Sequence, residues 1–207
     1  MSRIAAMTLA ASVVLSATVL AGPKFTSTWK APDAAGTSFA GKKVAALIIS
    51  QNQNLRVSGE EALVRELAAI GLPNGVASYR IVPREELRDP DKARGWYERS
   101  NVEGVVSMRL LKADTRTTWS PSVWSSPYYS SFWSYYGYGW GSVYDPGYTT
   151  SDTFAIVETL VFSIPQNKLL WAGVTESKNP KDPGQVIKDI VTATVKEMKK
   201  QGLTRPR

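Results

Sequence analysis

The densest apolar run in the chain lies between Lys42 and Ser50, where Val44, Ala45, Ala46, Leu47, Ile48 and Ile49 follow one another without a polar break. A strand apolar on both faces is typically central and covered on both sides. Upstream, Lys24 to Lys30 reads as a short edge strand carrying Phe25 and Trp29, and 31–41 as a loop rich in Gly, Ala, Ser, Pro and Asp. Downstream the period becomes helical. Leu63, Leu67 and Ile70 recur at that spacing, Ser58 and Glu61 have the spacing of a capping box, and Gly71 suits the stop. Ala77 to Val82 alternates as a strand, with Tyr79 and Ile81 on one face. Asp89-Pro90 opens a short helix through Trp96 and Tyr97 to about Asn101.

Gly104 to Trp119 reads as a long strand, with Val106, Met108 and Leu110 on one face and Val105, Ser107, Arg109 and Leu111 on the other. Strand–helix–strand–helix–strand alternation implies parallel strands joined by crossovers. After residue 150 the alternation of Phe154, Ile156, Leu160, Phe162 and Ile164, a turn at 165–168 and a return strand through Leu170, Ala172 and Val174 predict a hairpin. The last helix starts at Asp182-Pro183, with Gln185 completing a capping box, and ends at Gly202. Its apolar stripe is Ile187, Ile190, Val191, Thr194, Val195 and Met198. The predicted fold is α/β: a mixed sheet of about five strands with three helices, spanning 22–207 as a single domain.

Residues 1–21 are an address rather than part of that fold. Met1-Ser2-Arg3 supplies a positive start, Ile4 to Leu20 is uncharged, and Val19 and Ala21 stand at the −3 and −1 positions of a small-residue cleavage site. That order is a secretory signal peptide. A membrane anchor needs about 20 predominantly apolar residues, and this stretch is slightly short and rich in Ala, Ser and Thr. Cleavage falls at Ala21–Gly22, and losing Arg3 lowers the net charge from +7 to +6. Leu20-Ala21-Gly22 also matches the start of a lipoprotein box, but Pro23 stands where the lipidated Cys is required. The expected location is the periplasm, with outer-membrane association the further option, in either case without a lipid anchor.

Composition narrows the chemistry. Apolar residues at 43% and charged residues at 21% fit a globular chain. With neither Cys nor His, disulfides, thiolate nucleophiles, Cys/His metal sites and histidine bases are excluded. The expectation is no cofactor, no metal and no catalytic residue. There is no phosphate-binding loop, dinucleotide turn or nucleophile elbow. Carboxylates are the remaining acid–base groups: Asp114, Asp152 and Glu158 lie on or beside the strands flanking residues 119–148. Glu158 on an otherwise apolar face is read as the ion-pair partner of Arg109.

Residues 119–148 are unlike the rest. Twelve of these 30 residues are aromatic: Trp119, Trp124, Tyr128, Tyr129, Phe132, Trp133, Tyr135, Tyr136, Tyr138, Trp140, Tyr144 and Tyr148. Asp145 is the only charge, and most of the remainder is Ser, Gly and Pro. The segment reads as a long loop inserted in the domain. Such loops are usually functional or disordered. Tyr and Trp rings stack on sugars, settle at the bilayer interface or anchor protein partners. The twelve rings are therefore the candidate binding surface, for an envelope protein or a membrane or polysaccharide surface. The alternatives are a tether and a segment that folds back over the sheet. Because the strand and helix signals close around it, the fold is expected to be independent of it. Nucleic acid is not the expected partner, since lysines and aromatics occupy different segments and the chain is exported.

The chain resembles a family of bacterial outer-membrane or periplasmic lipoproteins built on a small domain of unknown function. The resemblance rests on 23–30 after the export signal, Lys42-Lys43-Val44, Gly104-Val105-Val106, the Tyr/Gly/Trp segment and Leu169-Leu170-Trp171. It covers most of 23–203. It implies a mixed α/β fold similar to periplasmic domains of the Tol and curli-export systems, and it transfers no activity. The function expected from the sequence is a non-enzymatic envelope protein that binds through its aromatic segment. The alternative is a carbohydrate-binding or carboxylate-dependent carbohydrate-acting protein.

Overall fold

The computed structural model describes residues 23–32, 34, 36–111, 121–143, 154–178 and 183–204. The strands are β1 (Lys24–Lys30), β2 (Val44–Ile49), β3 (Gly75–Ala77), β4 (Gly104–Leu111), β5 (Phe154–Ser163) and β6 (Lys168–Lys178). The helices are α1 (Gln53–Ala69), α2 (Pro90–Arg99), α3 (Phe132–Gly141) and α4 (Pro183–Lys200). The strands form one sheet in the order β1-β6-β5-β4-β2-β3. β2 pairs parallel with β3 and β4; the other pairings are antiparallel. The α/β class and the mixed sheet are as expected, with six strands and four helices among the described residues instead of about five and three.

All six residues of β2 are buried, as a covered central strand requires. Alternate residues feed two cores. Ala45, Leu47, Ile49, Val105, Leu160 and Phe162 face a layer made by α2, α3 and the 3₁₀ turns of 121–129. Val44, Ala46, Ile48, Val106, Met108 and Val161 face a layer made by α1 and α4. The helix stops at Gly71 and Gly202 are observed, with φ of +93° and +80° that favour glycine. The hairpin turn, the Asp89 cap and Pro90 at the first helical position are also observed.

Three elements differ from expectation. First, α1 begins five residues before Ser58, because the Asn52 side chain caps it by accepting from Leu55 N–H at 3.1 Å. The Ser58 hydroxyl instead donates to the Leu55 carbonyl. Second, β3 stops at Ala77 and Ser78–Arg80 form a 3₁₀ turn. The space beside β2 where that strand would continue is held by Glu60. Its carboxylate accepts from Ile48 N–H at 3.2 Å and Tyr79 N–H at 2.8 Å.

Third, the described part of the aromatic segment is not a loop. Pro121–Ser125 and Pro127–Tyr129 are 3₁₀ turns, and α3 follows, capped by Ser131 accepting from Ser134 N–H. The helix buries Phe132, Tyr135, Tyr136, Gly139 and Trp140, a stripe at i, i+3, i+4, i+7 and i+8. The helical period is present in the sequence, but Trp133 and Tyr138 on the other faces conceal it. The described part of the segment packs its buried rings against one face of the sheet. That packing speaks against the expectation of a fold independent of 119–148.

Candidate functional site

The site is built around Arg109 on β4. Its register partner on β5 is Glu158, and Arg109 Nε donates to Glu158 Oε2 at 2.6 Å. Both side chains are buried, so this is the expected ion pair, shielded from water. The guanidinium also donates from Nη2 to Tyr129 Oη at 3.0 Å and from Nη1 to Ser142 Oγ at 2.8 Å. The other carboxylate oxygen of Glu158 accepts from Trp124 Nε1 at 3.3 Å. One arginine thus ties β4 and β5 to a 3₁₀ turn and to the C-terminal cap of α3. Burial alone opposes its charge, but Tyr135, Glu158 and Tyr129 around it outweigh that and hold its pKa above the ordinary value. Burial also raises the Tyr129 and Tyr135 hydroxyls well above the usual phenol range.

A column of rings leads from this buried cation to solvent. The Arg109 guanidinium lies 4.7 Å from the centroid of Tyr138. Tyr128 stacks on Tyr138 at 4.8 Å with an interplanar angle of 22°. Tyr128 is 58% exposed, and no other large apolar side chain among the described residues is exposed. Residues 121–143 contain no charged side chain. Ser125, Ser130 and Ser134 are exposed in the same segment.

The twelve rings of the expected binding surface therefore separate. Trp124, Tyr129, Phe132, Tyr135, Tyr136 and Trp140 are buried core. Tyr136 donates to the Leu87 carbonyl at 2.7 Å, and Tyr135 packs on Phe162. Their interior placement corrects the expectation that they form a contact surface. Tyr128 is exposed; Trp133 and Tyr138 are half-buried, with Arg94 over the Trp133 ring at 5.1 Å. Trp119, Tyr144 and Tyr148 lie outside the described residues, as do Asp114 and Asp152. Glu158 is fully buried with both oxygens engaged, which is a structural role rather than that of an acid in an open cleft.

Two groups escaped sequence reasoning. Ser142, a clamp for Arg109, is one serine among many in the segment. Glu60 occupies a helical position beside the half-buried Glu61, yet it is fully buried, and burial pushes its carboxyl up to about 7 against the pull of the Tyr79 and Ile48 N–H groups and Arg56. Among the described residues, no cluster of acidic side chains is arranged to hold a metal ion. No described helix is long and apolar enough to cross a membrane.

No family model matches the chain, and no curated protein does. Among solved structures it is similar to the PelC dodecamer from Paraburkholderia phytofirmans, with a TM-score of 0.46 and 10% identity over 86% of this chain and 96% of that one. A single-substitution variant of that PelC dodecamer aligns with a TM-score of 0.43 and 13% identity, over 81% of this chain and 93% of that one.

Proposed function

We propose that this chain is an exported, non-enzymatic protein of the bacterial cell envelope that binds its partner through the accessible face of the aromatic segment, centred on Tyr128. The observation that carries the reading is the ring column. An exposed ring on a soluble fold is ordinary when isolated; this one is stacked on a second ring that is itself seated on a buried, fully paired cation. Such rigid mounting lowers the ordering cost of binding. The leader-like order of residues 1–21 supports export, and the sheet with its clamp supplies a stiff base. The one described carboxylate of the site, Glu158, is committed to structure, which favours binding over acid–base chemistry.

The test uses the chain from Gly22 and whole envelope fractions containing both membranes and cell-wall polysaccharide. Tyr128→Ala is expected to weaken co-sedimentation at least about tenfold, as an anchor ring does, while leaving the thermal midpoint in place because the ring is exposed. Equal retention of parent and variant would refute the reading. Mass spectrometry of protein recovered from cells is expected to find an N-terminus at or near Gly22, and an intact Met1 would remove the export argument.

A further inference from the structure

We infer that the ligand of the Tyr128 face is a neutral sugar ring of an envelope polysaccharide, an inference that rests on the binding role proposed above and names its chemistry. Aromatic segments of this composition serve three kinds of partner, and the amount of exposed apolar surface discriminates among them. A stable protein interface buries about 800 Å² on each side around an apolar, aromatic-rich centre. An interfacial belt in a bilayer needs several outward rings at one level. Among the described residues a single large apolar side chain, Tyr128, is exposed. The exposed apolar area of the described residues is thus one tyrosine face, which is smaller than either of those partners needs and matches one pyranose ring.

The surroundings match the same chemistry. A sugar presents an apolar patch of C–H groups bordered by hydroxyls. Here the exposed ring belongs to a segment that also exposes Ser130, two residues on, and Ser134, one helical turn before Tyr138. Ser130 Oγ donates to the Pro127 carbonyl at 2.7 Å, which leaves its oxygen free to accept. Ser134 Oγ accepts from Ser131 Oγ at 2.9 Å, which leaves its proton to donate. No charge in 121–143 selects an acidic or basic polymer. Two described cations touch the segment: Arg94 lies over the Trp133 ring at 5.1 Å, while Arg109, the one against the Tyr128–Tyr138 column, is buried and neutralised by Glu158 at 2.6 Å. Arg109 fixes the column and does not reach the ligand.

The experiment is affinity electrophoresis of the chain from Gly22 in native gels cast with neutral polysaccharides (hydroxyethyl cellulose, dextran, glucomannan), in parallel with alginate, heparin and phosphatidylethanolamine/phosphatidylglycerol vesicles. Retardation by at least one neutral polysaccharide is expected. It should be insensitive to salt between about 0.05 and 0.5 M, because ring stacking is not screened. It should fall at least about tenfold in Tyr128→Ala and persist in Tyr128→Trp. Binding only to vesicles, or only to charged polymers with loss at high salt, overturns the inference. If Tyr128→Ala loses envelope binding while no neutral polysaccharide retards the parent, the sugar assignment falls and the envelope-contact reading stands. If Tyr128→Ala keeps envelope binding, both fall.

Discussion

Glu60 gives the chain a pH dependence that runs against the usual behaviour of carboxylates. Its carboxyl is fully buried, spans the gap between Ile48 N–H and Tyr79 N–H, and is pushed from an ordinary 4.5 up to about 7. Burial is the main cause, and the neighbouring Glu61 adds to it; the two N–H groups and Arg56 pull the other way. Between those two values the folded chain holds one more proton than the unfolded chain. The contribution to stability is therefore complete below about pH 4.5 and is lost as pH rises through 7. Lowering the pH from 8 to 5.5 should add about 2 kcal/mol from this group. For a protein of this size that is a rise of about 4–8 °C in Tm. The chain has no histidine, so no imidazole titrates in the same window. The assay is Tm by circular dichroism at half-unit steps from pH 8 to 5.5, for the parent and for Glu60→Gln. The amide keeps an acceptor and cannot ionise, so its profile should be flatter by that amount. A level parent profile, or the same slope in both proteins, would refute the reasoning.

Further predictions follow from the clamp and the segment it holds. Arg109→Met should cost about 3–5 kcal/mol in urea unfolding, because it leaves Glu158 buried without its partner. Adding Glu158→Leu should recover much of that loss, and a single-variant cost below about 1 kcal/mol would show that the pair is not the keystone. Replacing 121–143 by a short Gly/Ser linker should abolish cooperative unfolding. Six buried rings contribute on the order of 10 kcal/mol, comparable with the roughly 5–15 kcal/mol that stabilises a whole domain. A retained sharp transition in calorimetry would show that the sheet face closes by other means.

The sequence by itself determined the mixed sheet apart from β3, the helix stops at Gly71 and Gly202 and one ion pair, because each is written in a local or periodic signal. β2 announces its central position by six consecutive apolar residues, and α4 its buried face by Ile190, Val191, Val195 and Met198. Pairing of Arg109 with Glu158 follows from two charges on otherwise apolar strands that must share a face. Tertiary structure alone decided what the aromatic segment is. Its composition allows a surface as readily as a core, because Tyr and Trp carry both an apolar body and a polar edge. Whether a ring is buried depends on whether α2 and β5 leave a face to cover, and no local pattern records that vacancy. The same holds for Gly104. A Cβ there would collide with the ring of Phe39, a contact set by a residue 65 positions away. Glu60 was equally invisible: its burial arises because β3 ends early, and β3 ends early because Glu60 takes the next N–H groups. Sequence gives each residue's preference, but the competition between a strand and a carboxylate for one edge of β2 is resolved only when both are in place.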